Sequence, residues 1–275
     1  MTRDDIIREA EQFVHDSSRN YISEEIAIKK DYVGMKIFDA PIFAFGYVDD
    51  ELYTELKDPL VIGPHFQPPL EWLSEAKTII SFFLPYTERI KSANARDFVW
   101  PADEWLHGRI EGQELLKELA IYINKLLTDA GYNSLVPIFD PRFKTGDSRT
   151  GDGEAANRFT SNWSERHIAY VCGLGTFGLS KGLITEKGVS GRFGSILTAL
   201  DIPKTARAYS GIYDYCTMCY ACIPNCPVNA ISKDGKEHES CSAFLDKVHE
   251  KHYPRYGCGK CQVGVPCESR APGKK

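Results

Sequence analysis

The chain has 275 residues, 43% of them hydrophobic and 26% charged, with a formal net charge of −5. These are the proportions of an ordinary soluble globular protein and exclude fibrous and disordered classes, and the negative balance argues against broad electrostatic attachment to nucleic acid. No apolar run approaches the roughly 18 residues of a membrane span, and the charged opening Met1-Thr2-Arg3-Asp4-Asp5 lacks the apolar stretch of a secretory signal, so a cytoplasmic protein is expected.

In chain order, Ile6, Ile7, Ala10, Phe13 and Val14 fall at helical spacing behind a capping box of Thr2 and Asp5. A weaker helical stretch covers residues 23–30. Short apolar runs at 41–47 and 78–84, the second closed by Pro85, predict strands. Leu115, Leu116, Leu119, Ile123, Leu126 and Leu127 trace one face of a helix over 111–130, with Gly131 at the capping position. A strand is expected over 132–139, ending at Asp140. A carboxylate there, before a polar glycine-rich loop at 144–159, is a candidate site residue and equally a turn residue.

A helix over 164–172 is followed by Gly173-Leu174-Gly175-Thr176-Phe177-Gly178. The letters fit a dinucleotide fingerprint, but they follow a helix and open none, so no nucleotide site is expected; such glycines imply a tight turn or a close approach. Residues 182–185 and 188–200 read as a hairpin or strand pair, and the poorly patterned 203–210 as a domain boundary. The first 205 residues suffice for their own core and read as α+β or α/β layering around one sheet.

Eight of the nine cysteines lie between 216 and 267: Cys216-x-x-Cys219-x-x-Cys222-x-x-x-Cys226-Pro227, then Cys241, Cys258-x-x-Cys261 and Cys267. Three thiolates at two-residue gaps converge on one centre, and a fourth turned away before a proline reaches a second, as in proteins with two 4Fe-4S clusters. Zinc knuckles have no use for the third cysteine, and disulfides suit small secreted scaffolds. Cys172 lies on an apolar helix face and reads as a small core residue.

Glu165-Arg166, the loop from Gly173 to Gly178, Phe193-Gly-Ser195-Ile-Leu-Thr198, Asp201-Ile-Pro203 and the cysteine pattern together resemble epoxyqueuosine reductase, a cobalamin-dependent iron-sulfur enzyme family related to reductive dehalogenases. The resemblance implies a nitroreductase-like α/β domain at 1–205 that holds a corrinoid and a ferredoxin-like domain at 206–275 that feeds it electrons. By position, Cys216, Cys219, Cys222 and Cys267 would hold one cluster, and Cys226, Cys241, Cys258 and Cys261 the other. Gly173, Leu174, Gly175, Gly178 and Ser195 would contact cobalamin, and Asp140, ending Val136-Pro-Ile-Phe-Asp140, would be the general acid, its pKa raised beside the corrin. The expected partners are an electron donor of the ferredoxin or flavodoxin kind and a small-molecule substrate. A tRNA is expected less, because longer family members carry a tRNA-gripping helical region after the clusters and this chain ends at Lys275. Two departures are local: Leu179 stands where the family usually has Lys, with Lys181 nearby, and the 144–159 loop would reshape the pocket. The competing expectation is an electron carrier or cofactor-handling protein for a corrinoid partner.

Overall fold

The computed structural model describes residues 1–146 and 159–274, so most of the 144–159 loop lies outside the described residues. The elements run α1 (Arg3–Asp16), β1 (Ile42–Tyr47), α2 (Leu52–Glu55), α3 (Pro69–Trp72), β2 (Thr78–Pro85), α4 (Glu88–Ala95), α5 (Asp103–Asp129), β3 (Ser134–Leu135), α6 (Glu165–Cys172), β4 (Gly175–Phe177), β5 (Leu183–Thr185), β6 (Gly191–Thr198), β7 (Ile231–Ser232), β8 (Gly235–Lys236) and α7 (His238–His252).

The capping box starts α1 as expected: the Asp5 amide donates to the Thr2 hydroxyl, and the Thr2 amide to the Asp5 carboxylate at 2.9 Å. One antiparallel sheet, ordered β1-β2-β6-β3, organises the first 200 residues. All eight residues of β2 are buried, which is why that strand reads as a continuous apolar run. Its side chains alternate between two cores. Ile80, Phe82 and Leu84 pack with Ile6 of α1 and Leu115, Leu119 and Ile123 of α5; Ile79 and Phe83 pack with Trp163 and with Ile168, Ala169 and Cys172 of α6. Helices thus cover both faces of the sheet, and Cys172 is a buried core residue.

Four local expectations change. Residues 23–30 form no helix, because the chain folds back through a Tyr21–Lys36 bridge and the Ile28 amide finds a long-range acceptor in His107 Nε2 at 3.2 Å. Helix α5 begins at 103 and not near 111; its early residues Trp105, Leu106, His107 and Gly108 are buried, and a Cβ on Gly108 would come within 2.8 Å of the Tyr86 ring. The strand expected over 132–139 shrinks to Ser134–Leu135, since Pro137 has no amide for the ladder and 137–139 tighten into a 3₁₀ turn. Finally, β5 pairs with β4, while β6 enters the main sheet between β2 and β3.

Residues 203–216 run along the sheet body: the Thr205 amide donates to Phe45 O at 2.8 Å and the Tyr215 amide to Thr176 Oγ1 at 2.8 Å. The cysteine-rich segment packs onto the same body. Gly259, at φ +66°, sits so close to the Trp105 indole that a Cβ would lie 1.8 Å from it. Lys260 Nζ donates to Asn94 O at 2.6 Å, and Arg255 pairs with Glu111 at 2.5 Å, whose carboxylate also meets His107 Nδ1 at 3.1 Å.

Candidate cluster and cofactor site

Between Cys216 and Cys226 the chain turns in short steps, with Met218 and Tyr220 at positive φ (49° and 62°) between successive cysteines. Left-handed residues are uncommon outside glycine, and here two of them lie within the run that carries Cys216, Cys219 and Cys222. No two of the nine cysteines are joined by a disulfide. Burial, then the neighbouring Cys216, Cys222 and Cys219, pushes the Cys267 thiol up to about 12. Burial, opposed by a hydrogen bond from the Lys260 backbone and reinforced by Cys261 and Cys241, leaves Cys258 at about 12, and Cys261 is raised by burial and by Cys241 and Cys226. Cys267 thus lies near Cys216, Cys219 and Cys222, and Cys261 lies near Cys241, Cys226 and also Cys222. Cys222, pushed to about 11 by burial and then by Cys261 of the other set, marks where the sets adjoin. Thiols so resistant to ionisation become thiolates only against a cationic metal centre. Among the described residues no three His, Cys, Asp or Glu are gathered closely enough for a single metal ion; ligands that each bind a different iron of a cubane need the wider spacing.

A 220 Å³ cavity contains all four residues of the second set, Cys226, Cys241, Cys258 and Cys261, in its wall. Tyr86, Trp105 and Arg192 of the sheet body close its other side, so this set sits at the junction between the cysteine-rich segment and the body. The Ala230 amide donates to Cys226 Sγ at 3.2 Å, the kind of contact that tunes a cluster. Arg109, Arg192, Lys236 and Lys260 surround it with positive charge, which favours an anionic cluster.

Beside it lies a second cavity of about 880 Å³, at the upper end of the range for small-molecule sites. Arg109, Leu245 and Tyr256 belong to both walls. Leu56, Leu60, Phe177 and Ile212 make part of the larger cavity apolar, and Arg166, His167, Lys181 and His238 make one corner basic. Burial, followed by nearby cations, pushes His167 and His238 each down to about 4. The room and the mixed apolar and polar wall fit a large planar cofactor.

The remaining expected site residues separate. Gly178 lines the large cavity. Gly173 instead ends α6 at φ +103°, where the Leu174 amide donates to Ala169 O at 2.9 Å, and Gly175 is required by β5, since a Cβ would lie 2.0 Å from Ile184 O. Leu174 is buried in the core beneath α6. Ser195 is buried within β6, accepting from Trp163 Nε1 at 3.0 Å and donating to Glu165 Oε2 at 2.7 Å. The glycine spacing thus serves a helix stop and a hairpin over most of its length.

Asp140 follows the 3₁₀ turn and is clamped by Arg142, whose Nε and Nη2 each donate to it at 2.8 Å. Arg142 also donates to the carbonyls of Glu71 and Trp72 and lies 5.2 Å from the Trp72 ring. The guanidinium holds the Asp140 carboxyl below the usual carboxylate range, in place of the raised value expected of a general acid. Burial pushes the Glu165 carboxyl up to about 8, and its Oε1 is buried without a hydrogen-bond partner, but it turns into the core toward Ser195 and lines neither cavity.

Residues 210–232 match the 4Fe-4S binding domain family. A tetrachloroethene reductive dehalogenase of Desulfitobacterium hafniense is 33% identical over 110 residues, 37% of this chain and 20% of that protein. The class defined by fold and site is therefore an iron-sulfur protein related to reductases. More particularly, the chain has the fold of epoxyqueuosine reductase. One crystal structure of that enzyme superposes with TM-score 0.55 at 18% identity, and another, with an epoxyqueuosine-modified tRNA-Tyr stem loop, with TM-score 0.55 at 17%. Each alignment covers 97% of this chain and 65% of the solved one, so the chain spans just under two thirds of those relatives. Among the described residues no helix is long and apolar enough to cross a membrane.

Proposed function

We propose that the chain is a reductase in which two 4Fe-4S clusters, held by the crossed cysteine sets, serve a corrinoid in the 880 Å³ cavity, with a small molecule as substrate. One observation carries this reading: the cavity of the second cysteine set and the large cavity share Arg109, Leu245 and Tyr256 as a common wall. When bound, the clusters would supply single electrons and the corrinoid a reducible cobalt. The apolar wall would exclude water, and the basic residues around the second set would favour its reduced state. Residues 1–205 would form the nitroreductase-like unit and 206–275 the ferredoxin-like one. A ferredoxin or flavodoxin in the cytoplasm would deliver electrons at the first set, where Cys219 is exposed.

Asp140 can donate a proton only after leaving Arg142, because the paired guanidinium keeps it ionised. A Bacillus subtilis epoxyqueuosine reductase is described with its catalytic loop swung out of the active site, and the Asp140–Arg142 clamp would be the parked state of such a loop. The same clamp favours the second reading, an electron carrier or cofactor-handling protein with no acid of its own.

Anaerobic reconstitution with iron, sulfide and hydroxocobalamin, followed by gel filtration, tests the proposal. The reading expects about eight irons and one retained corrinoid per chain; iron without corrinoid would leave the electron carrier.

A further inference from the structure

In the basic corner of the large cavity Arg166 lies within electrostatic reach of Cys261 of the second set, and Lys181 and His238 extend the corner beyond it. Arg166 Nη1 donates to the Lys181 carbonyl at 2.5 Å, and Lys181 Nζ meets His238 Nε2 at 3.2 Å. Arg166 is thereby tied to the Lys181 backbone and the Lys181 ammonium to the His238 ring, and Lys181 holds a left-handed backbone (φ +58°) in doing so. Among the described residues no carboxylate pairs with Arg166, Lys181 or His238. Glu237, next to His238, caps α7 by accepting from the Glu239 and Ser240 amides, and Glu165, next to Arg166, turns into the core toward Ser195. Glu55 and Asp246 line the same cavity, but Asp246 lies eight residues along α7 from His238, about 12 Å. Among the described residues the corner thus holds two cations, Arg166 and Lys181, without a paired carboxylate, an arrangement that the arrival of an anion relieves.

We propose that Arg166, Lys181 and His238 form a subsite for a phosphate or carboxylate group of a ligand in this cavity. This deepens the reading of the cavity as the reaction pocket, and the anion has two sources: the substrate, or the nucleotide-loop phosphate of a cobalamin.

The test is calorimetric titration of the cluster-loaded protein with inorganic phosphate at constant ionic strength. Charge-assisted hydrogen bonds predict that Lys181→Met weakens binding about tenfold or more, that Lys181→Arg largely restores it, and that Lys29→Met, remote from the cavity, leaves it unchanged. Lys181→Asn, which tolerates the left-handed backbone, repeats the test should the Met variant not fold. Cobalamin and cobinamide, which lacks the phosphate, separate the sources. Weaker cobalamin but unchanged cobinamide binding in Lys181→Met assigns the subsite to the cofactor; unchanged binding of both, with weaker phosphate binding, assigns it to the substrate. Absent phosphate binding in the wild type, or equal binding in Lys181→Met, overturns the proposal. If neither corrinoid binds the wild type, the corrinoid reading fails while the phosphate result still decides the subsite.

Discussion

Glu165→Gln isolates the buried carboxyl on α6. In the fold Glu165 titrates at about 8, against 4.5 for the free side chain. Its folded pKa is raised, so the neutral form is the one the fold prefers, and the stability it allows in acid is lost as pH rises from 4.5 to 8. Between pH 6 and 8 the two titrations differ by roughly 1.7 pH units of proton binding, about 2 kcal/mol at 1.36 kcal/mol per unit. For a chain of this size that is roughly 4–8 °C in melting temperature. Glutamine keeps a partner for Ser195 and cannot ionise, so the variant's melting temperature should stay nearly flat across pH 6–8 while the wild type falls. Scanning calorimetry on anaerobic, cluster-loaded protein reads the difference, and the infrared band of a protonated carboxyl should be present in the wild type at pH 7 and absent from the variant. Identical pH slopes for the two proteins would refute the reasoning.

Arg142→Met removes the clamp on Asp140, two carbonyl contacts and the stack on Trp72; with Arg142 45% exposed, a loss of about 1–2 kcal/mol is expected in denaturant unfolding at pH 7. The Asp140 share of that loss is present above its ordinary pKa near 3.8 and disappears as pH falls through the lowered folded value. Cys261→Ser should cut iron after reconstitution from about eight to about four per chain, whereas Cys172→Ala should leave iron unchanged. Gly259→Ala puts a Cβ into the Trp105 indole at a left-handed position and should cost roughly 3 kcal/mol, seen as a lower melting temperature and depleted iron. Asp140→Asn should abolish turnover of any substrate found while leaving iron content intact; undiminished turnover removes Asp140 from the chemistry.

Local rules located α1, β1, β2 and the longer part of α5, because each is specified by its own periodicity and caps. What the sequence concealed depends on distant partners. His107 and Gly108 look unlike core residues until Ile28 and Tyr86 are seen against them. The insertion of β6 between β2 and β3 leaves no mark in the residues joining it to β5. The cysteine spacing pointed to the 4Fe-4S binding domain, which the match over residues 210–232 bears out, but the common wall of Arg109, Leu245 and Tyr256 joins residues far apart in the chain. Of the three glycines of the loop only Gly178 reaches the cavity, because helix termination and hairpin packing impose the same residue type as cofactor contact does.

The shared wall is tested most directly by electron paramagnetic resonance of the reconstituted protein with paramagnetic cobalamin bound and the clusters reduced. Adjacent sites predict a cobalamin signal split or broadened by the second cluster, and a return to the isolated spectrum in Cys261→Ser. A cobalamin spectrum indifferent to cluster reduction would contradict the placement of the second cluster beside the large cavity.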